Sequence, residues 1–366
     1  PISFFAESSD EKSAFSQELR IVGSSSQWHW VVGAFYSDVE TNTLTLSGSG
    51  TYFSNGAPVP FGVIPFDIDA NGSSESYALF GDIAYDITEQ LTLTVGTRYF
   101  EDKQSQFNVS GGVTTVDTAA KFDKQSSKVS LSYALSENAS LYASASQGFR
   151  SGGSNSPGVP DYGPEEVNAF ELGAKGSLLD GRLNAESAVF FSQYDDYIMN
   201  FTDLSTGRDS AQNGGEAEIQ GVEFSTQFQL TNSLSLGLSG NVTETEFVTV
   251  TNPALHVGDP ISTIPKYSYS ANANYSFNWS AAASGFAYLG YSRQGPSSFV
   301  NRGLGPVSES SDLGFLNATL GAQWQDLTLS LSGANLTNEQ RSTVKNPLLS
   351  IQPRPRTVSV DLRYTF

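Results

Sequence analysis

The chain has 366 residues, enough for one large domain or two ordinary ones. Only 38% are hydrophobic and 16% charged, so serine (54) and glycine (34) fill the gap, and the 12% of aromatics argues against disorder. The absence of cysteine excludes disulfides, Cys-ligated metals and thiol catalysis, and a net charge of −19 argues against a nucleic-acid partner.

From the start of the chain the apolar period is two. A first strand is predicted near Ser13 to Val22, after a loop-like residues 1–11. The same beat returns at Leu91, Leu93 and Val95, then at Val129, Leu131 and Tyr133. It continues at Leu234, Leu236 and Leu238, at Tyr275, Phe277 and Trp279, and at Leu327, Leu329 and Leu331. The last segment alternates for ten residues, with Val358, Val360, Leu362, Tyr364 and Phe366 on one face. Such alternation marks strands with one apolar and one polar face.

Short connections are predicted at Gly23–Gln27, Asp86–Gln90, Leu135–Ala139, Leu179–Arg182, Leu230–Ser233, Ser280–Ala283 and Gln325–Asp326. Long ones lie between them, at Glu40–Gly72, Ser105–Ala119, Ser151–Glu165, Ser205–Asn213, Val250–Thr263, Pro296–Ser311 and Thr337–Arg354. Short turns on one side and long loops on the other are the plan of an outer-membrane β-barrel, all-β, antiparallel and up-and-down. Lipid on one face and a polar lumen on the other explain the shortage of both charged and apolar residues. Closure pairs every backbone group, which hydrocarbon demands. About fifteen strands are predicted, and an antiparallel bacterial barrel should have an even number. Tyr and Trp near strand ends, such as Trp28, Trp30, Tyr36, Tyr85, Tyr99 and Trp324, fit interfacial girdles.

Several residues stand out for chemistry. Asp67, Asp69, Asn71 and Gly72 match the first half of a calcium loop, D-x-D-x-N-G. The carboxylate due at the twelfth position is Ala78, leaving Glu75 as a substitute; a solvated polar turn is the plainer reading. Asp195 and Asp196 read as a strand running into water rather than an acid–base pair. Arg150 sits where a strand leaves the membrane. It is placed either to bind an anionic ligand or to pair with Asp161, Glu165 or Glu166. His29, between Trp28 and Trp30, reads as a girdle residue, and His256 lies alone in a long loop. The loop aromatics Tyr52, Phe53, Phe61, Phe66, Tyr162 and Phe299 suit either a flat or apolar ligand or loop packing. No set of carboxylate, serine and histidine residues points to an enzyme.

The blocks FSQELRIVGSS (Phe15 to Ser25), WHWVVGAFY (Trp28 to Tyr36) and LYASASQGFRSGGSN (Leu141 to Asn155) resemble those of TonB-dependent outer-membrane receptors. So do the blocks from Pro164 to Asn184, Phe190 to Ile198 and Gly214 to Phe224, and the closing GANLTNEQ and PRTVSVDLRYTF. The resemblance runs through nearly the whole chain in family order. It implies a barrel of 22 strands following a plug domain, of which residues 1–366 would be strands 8 to 22, without plug or TonB box. It further implies the outer membrane of a Gram-negative bacterium, and uptake of a scarce ligand, a siderophore or other metal chelate, coupled to the TonB complex through the plug. Outer-membrane lipid and the barrel-assembly machinery would be the other partners, the latter reading Phe366. The alternatives are a plugless passive porin, a barrel enzyme or an adhesin. No cofactor is expected beyond the candidate calcium.

Overall fold

A computed structural model describes residues 5–48, 51–54, 57–60, 67–155, 159–203, 208–300, 305–342, 344–345 and 350–365. In chain order the strands are β1 (Phe5–Ser24), β2 (Trp28–Gly48), β3 (Thr51–Ser54), β4 (Ala57–Pro60), β5 (Asp67–Asp86), β6 (Leu91–Ser110), β7 (Val113–Ser136) and β8 (Ala139–Arg150). They continue with β9 (Glu165–Leu178), β10 (Leu183–Asp195), β11 (Ile198–Asp203), β12 (Arg208–Asn213), β13 (Ala217–Gln229), β14 (Leu234–Phe247), β15 (Tyr267–Ser280) and β16 (Ala283–Gln294). The last are β17 (Ser298–Phe299), β18 (Ser308–Glu309), β19 (Leu313–Trp324), β20 (Leu327–Ala334), β21 (Val344–Lys345), β22 (Ser350–Ile351) and β23 (Thr357–Tyr364).

Fifteen of these form one sheet, in the order β1-β2-β5-β6-β7-β8-β9-β10-β13-β14-β15-β16-β19-β20-β23. Every neighbouring pair is antiparallel, and the other eight strands make four small hairpins. The all-β, up-and-down expectation and the strand count therefore hold.

The register sorts the side chains into two faces. Leu19 pairs with Ala34, Ala34 with Leu79 and Leu79 with Tyr99. Further round, Ala143 pairs with Leu172 and Leu172 with Val189, and later Leu331 pairs with Val360. Leu79, Leu172 and Val360 are 65%, 58% and 69% exposed. A continuous exposed apolar band of this kind is stable only against hydrocarbon. Trp28 and Tyr85, 4.3 Å apart, cap it near the short turns. Tyr36 and Tyr77, 5.1 Å apart, cap it on the other side, level with Tyr99. Residues of opposite parity, among them Arg98, Asp102, Tyr142, Glu171 and Glu223, face the lumen.

The long connections differ from the sequence expectation. Strands β1, β2, β5, β6 and β7 run 20 to 24 residues, far past the girdle. The predicted loop Ser105–Ala119 is instead a ladder closing at Gly111 and Gly112, whose φ values of +57° and +75° suit a tight hairpin turn. The calcium-like stretch Asp67–Gly72 is paired strand rather than a turn. Above the membrane both faces of the sheet meet water, so pairing continues without an apolar stripe to announce it.

Candidate functional site: the extracellular vestibule

We call the space between the upper ends of the strands and the described parts of their connections the vestibule. One side is the tall wall of β1, β2, β5, β6 and β7. The other is built by loops that bury a small core of their own. Phe247 and Ala217 are fully buried cross-strand partners, and Leu255, Ile261, Phe201 and Val300 close around them. Tyr197 meets Phe247 edge-on at 5.8 Å and Tyr194 meets Tyr197 at 5.5 Å. Burial raises the Tyr197 phenol above its ordinary pKa. These residues come from β10, the β11–β12 hairpin, β13 and β14 and the two long connections after β14 and β16. Gly215 is needed where two of them cross: its φ is +123°, and a Cβ there would lie 2.3 Å from the Thr249 carbonyl oxygen.

Polar staples tie the loops to the wall. Arg150 donates to Glu165 at 2.6 Å and to the Ile198 carbonyl at 2.7 Å, while the Ile198 N–H donates to the same Glu165 carboxylate at 2.6 Å. Of the two expectations for Arg150, the geometry favours pairing with Glu165. Glu166 pairs with Lys124 of the wall, and Asp161 accepts from the Asn155 N–H at 3.2 Å. The buried Asp102 carboxylate accepts from Ser74 at 2.8 Å, Ser76 at 3.2 Å, Gln104 at 2.6 Å and Ser151 at 2.9 Å. Asn213 and Gly163 exchange two hydrogen bonds, of 2.8 and 3.1 Å. Residues 149–151 and Glu166 are thus held against the lumenal side of β6 and β7, with Phe149 edge-on to Phe100 at 6.4 Å.

Outside the barrel, at the upper rim, Arg293 donates to Asp312 at 3.1 Å, and Tyr267 to the same carboxylate at 3.1 Å. Hydrogen bonding to Arg293 lowers the Asp312 pKa. Nearby, Arg341 holds the Glu339 carboxyl down to about 2.

The sequence candidates separate. Tyr162 is half-buried and forms a β-bridge with Gly153. Phe299, also half-buried, sits in β17 beside the loop core. His256 is exposed, its backbone N–H donating to the Asp259 carboxylate at 2.8 Å. His29 is at the lower girdle, 3.3 Å from Asp86. Asp195 ends β10, and Asp196, with φ +53°, turns the chain out of the sheet. Asn71 donates to Asp69 at 3.0 Å along β5, and a straight, paired strand cannot wrap six ligands around calcium. Among the described residues no three His, Asp or Glu converge as a metal site. Tyr52 and Phe53 lie on the backbone of β3, with their side chains outside the described set; the Asp67 side chain, Phe61, Phe66 and Phe366 are likewise outside the described residues.

Three features were not anticipated. Arg98 lies over the rings of Phe35, Phe80 and Phe100 at 5.4, 5.8 and 5.6 Å. Tyr142 donates to Glu171 at 2.5 Å, beside a groove lined by Glu186, Glu223 and Asn241. The loop core is the third. The only sequence signal for Arg98 is its parity opposite to Tyr99.

Residues 4–336 match the model of the TonB-dependent receptor-like β-barrel. The pesticin receptor of Yersinia enterocolitica is 25% identical over 212 residues, covering 55% of this chain and 30% of the receptor. The catecholate siderophore receptor Fiu of Escherichia coli K12 is 24% identical over 220 residues, covering 52% of this chain and 28% of Fiu. The crystal structure of the ferric yersiniabactin uptake receptor FyuA from Yersinia pestis superposes with a TM-score of 0.78 at 19% identity, covering all of this chain and 56% of FyuA. That of Fiu gives 0.75 at 19% identity, covering 99% of this chain and 55% of Fiu. The chain therefore spans under a third of the curated relatives and just over half of the solved structures. It belongs to the TonB-dependent receptor family, whose β-barrels stand in the outer membrane of Gram-negative bacteria.

Proposed function

We propose that this barrel imports a metal chelate of the siderophore class, with energy supplied through the TonB complex. The observation that carries the reading is the barrel match over residues 4–336. The named relatives, receptors for catecholate siderophores and ferric yersiniabactin, point to the cargo. A vestibule walled by long strands and floored by inward-folded segments suits capture before passage. The barrel binds and conducts, and no covalent chemistry is assigned to it. Coupling to the TonB complex would act through a plug domain, as the family resemblance implies. Insertion would use the barrel-assembly machinery, with Phe366 as its signal.

Uptake of radioactive iron chelates by cells with and without the gene, with the proton gradient intact or collapsed, tests the proposal. Gene-dependent uptake that stops on collapse supports it. Uptake that persists, together with a large constant single-channel conductance, identifies a passive porin instead.

A further inference from the structure

Charge on the lumenal face of the tall wall is unevenly satisfied. One row across it reads Arg20, Gly33, Phe80, Arg98 and Ser126, and the row above reads Glu18, Phe35, Ala78, Phe100 and Lys124. Lys128 lies two residues from Ser126 on β7. Four cations thus stand close together on one patch of a chain whose net charge is −19. Three are spoken for: Arg20 by Glu18, Lys124 by Glu166, and Lys128 by Asp82 at 2.9 Å. The nearby Asp102 is saturated by hydroxyl and amide donors. Arg98 has no carboxylate partner among the described residues.

Instead its guanidinium lies over three phenyl rings. Ring faces hold a cation in place without neutralising it. They also exclude water, which strengthens its attraction for an incoming anion. The arrangement is built at a cost: Gly33 carries no Cβ, and one would lie 2.4 Å from the Phe80 ring. Arg98 is level with the outer girdle, since Tyr99 beside it points outward there, and β6 runs on above it to Ser110. It therefore faces the floor of the vestibule.

We propose that Arg98, seated on Phe35, Phe80 and Phe100, receives the anionic oxygens of a negatively charged chelate, carboxylate or catecholate, and so selects against neutral chelates. The planar fork of arginine donates two parallel hydrogen bonds to such an oxygen pair. The inference rests on the transport reading and narrows its substrate class.

The test uses protein from the complete reading frame, in outer-membrane vesicles. Binding of ferric citrate, ferric 2,3-dihydroxybenzoate and a neutral ferric tris-hydroxamate is compared for wild type, Arg98→Gln, Arg98→Lys and Phe80→Leu. At least one anionic chelate should weaken about tenfold or more in Arg98→Gln. Arg98→Lys should recover part of it, Phe80→Leu should weaken it less, and which of the two anionic chelates responds identifies the oxygen type. Wild type that binds only the neutral chelate, or equal losses for all three, overturns the assignment. So does unchanged binding in Arg98→Gln with new leakage of large antibiotics, which would make Arg98 a seat for a lumenal domain. Wild type that binds none of the three also overturns the assignment, whereas the transport reading falls only if iron-chelate uptake does not depend on the gene and the proton gradient.

Discussion

Replacing Phe247 with alanine tests whether the loop core holds the vestibule together. Phe247 is fully buried, against Ala217 across the ladder and against Tyr197, Leu255 and Ile261. Its backbone also anchors the next connection, donating to the Asp259 carbonyl at 2.9 Å and accepting from Gly258 at 2.8 Å. A buried Phe→Ala change costs about 3–5 kcal/mol. About 0.5–1.5 kcal/mol of aromatic pairing with Tyr197 is part of that loss. The membrane band of the sheet shares none of these contacts, so the loss falls on local opening of the loops. At about 1.4 kcal/mol per factor of ten, 3 kcal/mol multiplies the open population by on the order of a hundred. The assay is amide exchange by mass spectrometry on protein in lipid. Peptides covering residues 194–217 and 247–264 should exchange on the order of a hundredfold faster, and those covering β6 and β20 should not change. Rates within twofold of wild type at 247–264 would refute the claim that these loops form one cooperative core.

The Arg150 staple gives a second expectation: Arg150→Met leaves the buried Glu165 with one donor fewer, and should loosen the β11–β12 hairpin by about 1.5–3 kcal/mol, read as faster proteolysis between Asp203 and Arg208. Glu339 gives a pH dependence. Its folded pKa, about 2, lies below the ordinary carboxylate value, so its contribution is present above that ordinary value and is lost as pH falls towards 2. Pepsin cleavage at residues 335–341 should therefore rise between pH 4 and pH 2 in wild type, relative to an unfolded control, and show no such rise in Glu339→Gln. On the lipid face, Leu172→Arg near mid-membrane should cost about 2–4 kcal/mol in urea titrations of folding into vesicles. Ser144→Arg, facing the lumen opposite Glu171, should cost far less.

What the sequence disclosed follows the solvent. Wherever lipid lay on one side and a polar lumen on the other, as at Leu327–Leu331 or Val358–Leu362, period two was unmistakable and the turns fell within a few residues of their predicted places. Asp67–Gly72 shows the limit. With water on both faces the same ladder is built from Asp, Ala, Asn and Gly, which read as a turn and even as a calcium loop. The loop core was hidden for another reason. Phe201, Phe247, Leu255 and Val300 lie apart in sequence, inside stretches rich in Gly, Pro and Thr, and only the crossing of the connections brings them together. Arg150 was legible because an arginine at a glycine-rich strand exit needs a partner and three carboxylates follow it. Arg98 was not, because its three phenylalanines come from three strands whose register no single segment records.

The tall wall has a mechanical consequence. β7 alone, at 24 residues, measures roughly 80 Å along its length, or roughly 60 Å of rise at the usual tilt, against an apolar band of about 25 Å. Its ladder with β6 shows one register shift, at Asn108/Val109, near the outer tip. From Tyr133 up to that tip the β6–β7 pairing is unbroken, and the next shift in β7 lies at Ala134/Ser136, beside the periplasmic turn. Any displacement on the lumenal side of this wall therefore falls to the pieces clipped to it, residues 149–155 and 159–166 and the loop core, while the wall stands as a mast.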